Sequence, residues 1–217
     1  MITTTGFEKG EIARHLRDIG ARRVLEIGAF KGETTRVLVD TLAEAGGSVV
    51  VIDPMSWSSE IVRNGIVRHT ARFPRVLTTI ERLLHRASYE PAFWQNVGGR
   101  ERAGIHLYRS LSSDPRLLAS SDPVLQSFDA VFVDGDHSYA GALLDLERWG
   151  GRVRDGGLVL VHDATPRFPG VVRAVEDWSR STGLEAVWPT RDSLCVIRVR
   201  GALAERGLPV THVNHAP

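Results

Sequence analysis

Short apolar runs alternate with helical patterns along most of this chain, and this alternation constrains the fold more than any other feature. Strands that alternate with helices indicate βαβ units, in which a parallel sheet is covered on both faces. Continuous apolar runs, rather than alternating ones, are typical of strands buried on both sides. The apolar runs predict strands at residues 23–28, 48–53, 104–109, 128–134 and 158–161.

Helices and a closing hairpin complete this pattern. Apolar residues at helical spacing predict helices at residues 8–19, 33–45, 139–153 and 170–181. The Asp-Gly-Gly sequence at 155–157 predicts a turn before the fifth strand. Two further strands are predicted at 184–188 and 194–199, with a hairpin turn between them.

Residues 54–103 interrupt the alternation. They separate the second and third strands by about fifty residues, where a compact unit needs far fewer. The stretch has helical patterns of its own, the better one at 76–87, and its arginines outnumber its acids. We interpret it as a helical insertion that caps the ligand-binding edge of the sheet. A solvated structural insertion is the alternative.

Length and composition limit the classes of function. The 217 residues fit one α/β domain, which we take as residues 1–217. A net charge of +1 gives no electrostatic reason to expect nucleic acid as a partner. Neither a signal-peptide pattern nor an apolar run of about 20 residues is present, so we expect a cytoplasmic protein without a membrane partner. The single cysteine, Cys195, excludes an internal disulfide and a Cys-rich zinc site.

The turn after the first strand carries a ligand-binding pattern. Residues 26–32 read Glu-Ile-Gly-Ala-Phe-Lys-Gly, and glycines at such a turn let the backbone approach a ligand while the helix start offers free N–H donors. Dinucleotide enzymes place G-x-G-x-x-G here, and the second of those glycines is missing from this chain. Glu26 can take the ammonium of an amino-acid-type ligand, directly or through water. The pattern therefore favours S-adenosylmethionine over NAD.

Asp53 strengthens this interpretation because it ends the second strand. An acid at that position takes the two ribose hydroxyls in nucleotide-binding α/β folds. A helix cap or a turn residue is the alternative role for Asp53. The candidate cofactor-binding residues from these two motifs are Glu26, Gly28, Ala29, Phe30, Gly32 and Asp53.

Two further motifs complete a family pattern: Asp-Gly-Asp-His-Ser-Tyr at 134–139, and a Gly-Gly strand that ends in His-Asp at 162–163. In this order the motifs resemble class I S-adenosylmethionine-dependent methyltransferases. More narrowly, they resemble the branch known as methyltransferase domain 24, which includes macrolide-sugar and other antibiotic-tailoring O-methyltransferases. The similarity covers about residues 8–200, apart from most of 54–103.

The resemblance implies a Rossmann-like, doubly wound sheet of seven strands, mostly parallel with an antiparallel last strand. It also implies that the cofactor lies at the carboxyl ends of the first strands, with residues 109–112 against the adenine. Ser110, Leu111, Ser112 and Asp134 thereby join the cofactor-binding candidates. Leu111 stands where relatives often carry an acid, which departs from the family pattern.

The fourth and fifth strands end in acids and histidines that should converge at the carboxyl edge of the sheet. Methyl transfer to a hydroxyl needs the acceptor in line with the methyl group and its proton removed. Histidine has a suitable pKa for that base. By resemblance to sugar methyltransferases, His137 is the candidate base and Asp134 the second candidate catalytic residue. A purely structural histidine in a tight turn is the alternative.

The same edge is a candidate metal site. In metal-dependent relatives an acid matching Asp134 joins an acidic pair after the fifth strand to hold Mg²⁺. This chain has His162 and Asp163 there, and a histidine favours a transition metal over Mg²⁺. We therefore take Asp134, His162 and Asp163 as candidate ligands of Mg²⁺ or another divalent metal. The alternative is that Asp134 and Asp136 cap the turn and that His162 bonds backbone.

The leading hypothesis is an S-adenosylmethionine-dependent O-methyltransferase that acts on a small-molecule acceptor, a secondary metabolite or its sugar, as in antibiotic biosynthesis. An N-methyltransferase is the alternative within the same class. A nicotinamide-dependent oxidoreductase and a non-catalytic nucleotide-binding module are the alternatives from other classes. The insertion, rich in Trp and Arg, is a candidate lid or a candidate interface of a homo-oligomer.

Overall fold

The computed structural model describes residues 4–56, 88–189 and 191–201. Short 3₁₀ turns at Pro123–Leu125 and Gly150–Arg152 supplement the regular elements. In chain order, these elements are α1 (Gly6–Asp18), β1 (Arg23–Ile27), α2 (Glu33–Ala43), β2 (Ser48–Ile52), α3 (Glu90–Val97), β3 (Ile105–Tyr108), α4 (Pro115–Leu118), β4 (Phe128–Val133), α5 (Tyr139–Arg148), β5 (Val153–Val161), α6 (Pro169–Thr182), β6 (Ala186–Val187) and β7 (Cys195–Arg198).

The strands form one seven-stranded sheet in the order β3-β2-β1-β4-β5-β7-β6. Strands β1 to β5 pair in parallel, and β7 runs antiparallel to both β5 and β6. The predicted mostly parallel sheet with an antiparallel last strand is therefore confirmed. The strand order reverses between β1 and β4, so the chain leaves these two strands toward opposite faces. Ligands of open α/β sheets bind in the crevice at such a switch point.

Each face of the sheet has its own apolar core. Alternate residues of the central strands point to opposite faces, so Leu25 joins one core and Val24 the other. The first core packs against α5 and α6 and includes Trp149 and Trp178, both fully buried. The second packs against α1, α2 and α3. Burial of a large apolar side chain contributes roughly 1.5–3 kcal/mol, and burial on both faces explains the continuous apolar strands.

The largest differences from the sequence prediction lie between β4 and β5. The predicted turn at 155–157 is wrong, because β5 begins at Val153 and runs through these residues to Val161. A register shift against β4, between Phe128 and Ala130, accommodates the Gly-Gly pair inside the strand. The helix predicted at 139–153 ends at Arg148, and the glycines at 150 and 151, which are poor helix formers, start a 3₁₀ turn.

The described end of the insertion between β2 and β3 belongs to the helical layer. Helix α3 packs against α2, and its Phe93 and Val97 are fully buried in the second core. The predicted helix at 76–87, and with it most of the proposed cap, lies outside the described residues. Among the described helices, none is long and apolar enough to cross a membrane.

Candidate active site

Backbone strain gathers at the carboxyl edge of the sheet. Phe30, Met55 and Asp163 follow β1, β2 and β5 and have positive φ angles of 46°, 54° and 56°. They are the non-glycine residues of the described chain with such angles. A left-handed conformation costs a residue other than glycine about 1 kcal/mol or more, and such strain clusters at functional sites. The location matches the switch point between β1 and β4.

The two glycines of the β1 turn are required by neighbouring protein rather than by open space for a ligand. A Cβ on Gly28 would lie 2.1 Å from the carbonyl oxygen of Asp134, in the turn that follows β4. A Cβ on Gly32 would lie 2.7 Å from the ring of Phe93. Gly28 thus lets the turns after β1 and β4 touch, and Gly32 lets α3 pack on the start of α2. These contacts give both glycines a packing role, and their predicted role in ligand binding stays a prediction.

Glu26 is a buried acid, and one of its two carboxyl oxygens is unpaired among the described residues. The Thr35 hydroxyl donates to its Oε2 at 2.5 Å, whereas Oε1 has no hydrogen-bond partner among the described residues. Burial raises the pKa of Glu26 to about 8, against the lowering effect of Thr35, and the charges of Asp134 and Asp53 add to the rise. The side chain faces α2, and its unpaired oxygen is available to an amine.

Asp53, predicted to take ribose hydroxyls, is bonded by the protein on both oxygens. The backbone N–H groups of Ala29 and Phe30 donate to Oδ2 at 2.9 and 3.0 Å. The Met55 N–H and the Tyr89 hydroxyl donate to Oδ1, each at 2.6 Å. The carboxylate thereby fixes the β1 turn against the end of β2. A ribose hydroxyl that binds Asp53 has to share or replace one of these four donors.

The segment after β3 crosses toward α5. The Ser110 hydroxyl donates to Asp114 Oδ2 at 2.8 Å, and the Leu111 side chain is 57% exposed. The Ser112 carbonyl accepts a hydrogen bond of 3.0 Å from the indole of Trp149. The three predicted adenine contacts therefore lie on one strip between the solvent and α5.

The turn after β4, residues 134–138, is hereafter the β4 turn, and it brings both predicted catalytic residues together. His137 Nε2 lies 3.1 Å from Asp163 Oδ2 and 3.6 Å from Asp134 Oδ1. The ring stacks on Phe168 with the centroids 4.7 Å apart. His137 is 36% exposed, whereas Asp163 is 4% exposed. The histidine is thus the accessible member of a mostly buried polar cluster.

The neighbouring polar residues of the β4 turn have structural roles. Asp136 accepts hydrogen bonds from the Ser138 N–H and hydroxyl, each at 2.8 Å. Ser138 in turn caps α5 by accepting from the Gly141 N–H. Asp136 therefore shapes the turn, as the alternative interpretation of that acid held.

His162 lies at the centre of the cluster and is fully buried. Its Nδ1 is 3.0 Å from Asp134 Oδ1, and its Nε2 is 3.7 Å from Oε1 of Glu8 on α1. Glu8 is held in place by Ser193, whose N–H and hydroxyl donate to the same oxygen at 2.9 and 2.6 Å. The Thr5 N–H donates to the other oxygen. Helix α1 and the chain before β7 thus meet at this histidine.

The histidines and carboxylates of the cluster shift each other's pKa values. Burial lowers the pKa of His137 and of His162, but their carboxylate neighbours outweigh it and raise each pKa to about 9. Burial raises the pKa of Asp134, but its two histidines outweigh it and hold the value below the usual range. Burial also raises the pKa of Glu8, but the hydrogen bonds from Ser193 and Thr5 outweigh it and lower that pKa to about 2.

The predicted metal ligands converge. Donor atoms of Asp134, His162 and Asp163 all lie within 4.8 Å of one another. Asp163 Oδ1 is buried without a hydrogen-bond partner among the described residues. A histidine that ligates a metal commonly directs its other ring nitrogen to a carboxylate, and Glu8 stands beside Nε2 of His162. The donor set fits a divalent ion.

Sequence reasoning missed Glu8, Tyr89 and Asp145 as residues near this edge. Glu8 follows Thr5 by three residues and has the spacing of a capping box, which the structure contains. That signal predicts a helix cap but not a contact with a histidine far along the chain. Nothing in the sequence marks Tyr89 as the partner of Asp53. Asp145 reads as one polar residue of an amphipathic helix.

Comparison with known proteins places this geometry in context. The sequence profile of the methyltransferase domain 24 family, described as a methyltransferase domain, matches residues 25–164. No curated protein sequence matches the chain.

Solved structures share the fold at low sequence identity. The O-methyltransferase NovP superposes with a TM-score of 0.61 at 15% identity, over 89% of this chain and 79% of that one. An O-methyltransferase from Bacillus cereus, in complex with SAH, superposes with a TM-score of 0.58 at 17% identity. The match covers 91% of this chain and 83% of that one. TomG from Streptomyces achromogenes is an O-methyltransferase involved in tomaymycin synthesis and was solved with SAM. It superposes with a TM-score of 0.55 at 16% identity, over 92% of this chain and 82% of that one.

Proposed function

The chain belongs to the methyltransferase domain 24 family of S-adenosylmethionine-dependent enzymes, and we propose that it methylates a hydroxyl group of a small molecule. The observation that carries the O-methylation proposal is the position of His137. Its ring is partly exposed at the carboxyl edge of the sheet, stacks on Phe168, and has Nε2 within 4 Å of two carboxylates. The neutral form of a histidine placed in this way is equipped to remove a proton from an acceptor hydroxyl. Because the pKa of His137 is raised to about 9, the share of this neutral form increases as the pH rises toward 9.

The proposed cofactor is S-adenosylmethionine, bound at the switch point between β1 and β4. Glu26, with its unpaired and buried Oε1, is the proposed partner of the ammonium group of the cofactor. Support also comes from fold relatives, since the Bacillus cereus enzyme and TomG were solved with SAH and SAM. The cofactor supplies an electrophilic methyl carbon and leaves as S-adenosylhomocysteine.

The protein's own residues handle the acceptor proton. Because Nε2 of His137 faces Asp163 and Asp134, Nδ1 is the ring atom that is left to accept the proton. Asp163 orients the ring through Nε2 and stabilises the imidazolium that forms when the proton arrives. Phe168 restricts the ring further by stacking on it. An acceptor oxygen freed of its proton would be the nucleophile toward the methyl carbon that the bound cofactor would supply.

We also propose that Asp134, His162 and Asp163 hold a divalent metal ion. Two carboxylates and an imidazole suit a transition ion such as Mn²⁺ better than Mg²⁺. An ion in this place would lower the pKa of an acceptor hydroxyl. Among acceptors we favour a secondary metabolite, on the likeness to TomG, which is involved in tomaymycin synthesis.

Calorimetry on EDTA-treated protein tests the cofactor proposal. We expect S-adenosylhomocysteine to bind in the micromolar range and NADH to give no heat. Absence of binding by S-adenosylhomocysteine, with or without added metal, would remove the methyltransferase proposal. Binding of NADH instead would support the oxidoreductase alternative.

A second titration tests the metal proposal. Mn²⁺ should bind to the EDTA-treated protein more tightly than Mg²⁺, and Asp163→Asn should weaken Mn²⁺ binding by at least about tenfold. Asp136→Asn is the matched control, because Asp136 lies in the same turn but bonds only Ser138. Equal Mn²⁺ affinity in both variants would overturn the assignment of the ligands.

A further inference from the structure

Asp145 is a buried acid with the side chain of Ser112 beside it. It lies in α5 and is 1% exposed, yet neither carboxyl oxygen has a hydrogen-bond partner among the described residues. Buried polar groups are nearly always hydrogen-bonded, and an unpaired one costs free energy. Other buried acids of the molecule, such as Glu8 and Asp53, each accept several hydrogen bonds. A buried acid that the protein itself leaves without a hydrogen bond points to a ligand.

The surroundings of Asp145 place it at the switch point. A Cβ on Gly135, in the β4 turn, would lie 3.3 Å from Asp145 Oδ2. One helical turn further on, Trp149 donates to the carbonyl of Ser112 in the segment after β3. Asp145 therefore lies between that segment and the β4 turn, on the α5 side of the sheet.

Glu26 occupies the opposite side of the same switch point, toward α2. It bonds Thr35 there and also keeps one oxygen unpaired. Besides Asp163, whose unpaired Oδ1 belongs to the proposed metal site, Glu26 and Asp145 thus place unpaired oxygens on the two sides of the crevice in which a sheet of this topology binds its ligand. S-adenosylmethionine has one amine on its amino-acid end and another on its adenine. Glu26 can pair with the first of these amines and Asp145 with the second.

We propose that the carboxyl group of Asp145 recognises the exocyclic amino group of the cofactor's adenine, an inference that rests on the proposed methyltransferase function. Two other acids near the segment after β3 are occupied: Asp114 accepts from Ser110 and Arg116, and Glu90 accepts from Arg109. Leu111 offers no acceptor in its side chain. With Asp163 assigned to the proposed metal site, Asp145 is the remaining unsatisfied acid on the α5 side of the crevice among the described residues.

The carboxyl group of Asp145 can bind an adenine whether the carboxyl is ionised or neutral. Burial raises the pKa of Asp145 to about 7; the Ser112 side chain offsets part of that rise and the charge of Asp136 adds to it. A carboxylate accepts from the exocyclic amine. A neutral carboxyl group accepts from the same amine through its carbonyl oxygen and can also donate to the adjacent ring nitrogen.

Calorimetry with two ligands tests the proposal: S-adenosylhomocysteine and its analogue with purine in place of adenine, which lacks the exocyclic amine. We expect the native protein to prefer S-adenosylhomocysteine by about 10-fold or more. Asp145→Leu should bind the two ligands alike and lose at least about 10-fold in affinity for S-adenosylhomocysteine. Asp145→Asn should restore the preference, because an amide oxygen still accepts from the amine.

The melting temperature separates recognition from a structural role. Unliganded Asp145→Leu should melt at or above the temperature of the native protein, because the variant no longer buries an unpaired carboxyl. Glu147→Gln, on the same helix, is the control and should keep the native preference. An Asp145→Leu variant that keeps the preference, or that melts lower and loses both ligands equally, would overturn the proposal. Failure of the native protein to bind either ligand would instead overturn the proposed function on which it rests.

Discussion

At the carboxyl ends of β1 and β2, Asp53 receives four hydrogen bonds from the protein. At the carboxyl ends of β4 and β5, Asp134 and Asp163 face the rings of two histidines instead. Both halves hold buried acids at the edge of the same parallel sheet. In the first half the partners are mostly backbone N–H groups that keep their protons. In the second half the partners carry protons that they can exchange.

This contrast separates two uses of a buried carboxylate. A carboxylate saturated by backbone donors fixes the shape of a loop, and its removal leaves several donors unsatisfied. A carboxylate paired with histidine sets the orientation and the charge of a group that can move a proton. We therefore expect substitutions in the β1–β2 half to act first on stability, and substitutions in the β4–β5 half to act first on turnover.

The largest expected effect is that of His137→Ala on methyl transfer. Removal of a positioned general base should lower kcat by about 100-fold or more, while affinity for S-adenosylhomocysteine stays near the native value. Single-turnover assays with a phenolic or sugar-hydroxyl acceptor, beside calorimetry, measure the two quantities. Native kcat in the variant would show that the exposed histidine is structural, and the contrast between the halves would then fail.

The next effect concerns the β1–β2 half. Asp53→Ala removes an acceptor from Ala29, Phe30, Met55 and Tyr89 together, so the unfolding free energy should fall by about 3–5 kcal/mol. Urea denaturation of the unliganded protein measures this loss. If Asp53→Ala weakened cofactor binding without loss of stability, Asp53 would be a ligand-binding acid rather than the centre of a loop.

The sequence predicted the sheet well because apolar strands and helical spacing are local properties. It also predicted that His137, Asp134, His162 and Asp163 lie at one edge of the sheet, since parallel strands end on the same side. It did not predict which acids are already satisfied. That depends on partners distant in the chain, as with Tyr89 and Asp53, or on the absence of a hydrogen-bond partner within the described part of the chain, as with Asp145. Local sequence patterns predict neither the distant partners nor the missing ones.

A smaller effect links Asp145 to pH. Its pKa is raised from 3.8 in the unfolded reference to about 7 in the folded protein, so the folded state holds the proton more tightly. The group therefore favours folding most below about pH 4, and this contribution is lost as the pH rises through 7. Between these limits the unfolding free energy of the native protein should fall relative to Asp145→Asn by about 2–4 kcal/mol.

Urea denaturation of both proteins at pH 4, 5.5 and 7.5 measures this difference. The comparison with asparagine cancels the titration of other groups, of which Asp136 is the charge that acts on Asp145. A difference that did not change with pH would mean that Asp145 has a partner in solution. That result would remove the contrast between this acid and the saturated Asp53.

The smallest expected effect tests whether the saturation of Asp53 can be relaxed. Tyr89→Phe removes one donor from Oδ1, and the unfolding free energy should fall by only about 1 kcal/mol, because the three backbone donors to the carboxylate stay in place. If the ribose competes with the Tyr89 hydroxyl for this oxygen, the variant should bind S-adenosylhomocysteine a few-fold more tightly than the native protein. Calorimetry measures that change. Weaker binding would mean instead that the hydroxyl supports the bound cofactor, so that Tyr89 belongs to the binding site and Asp53 acts on the cofactor through it.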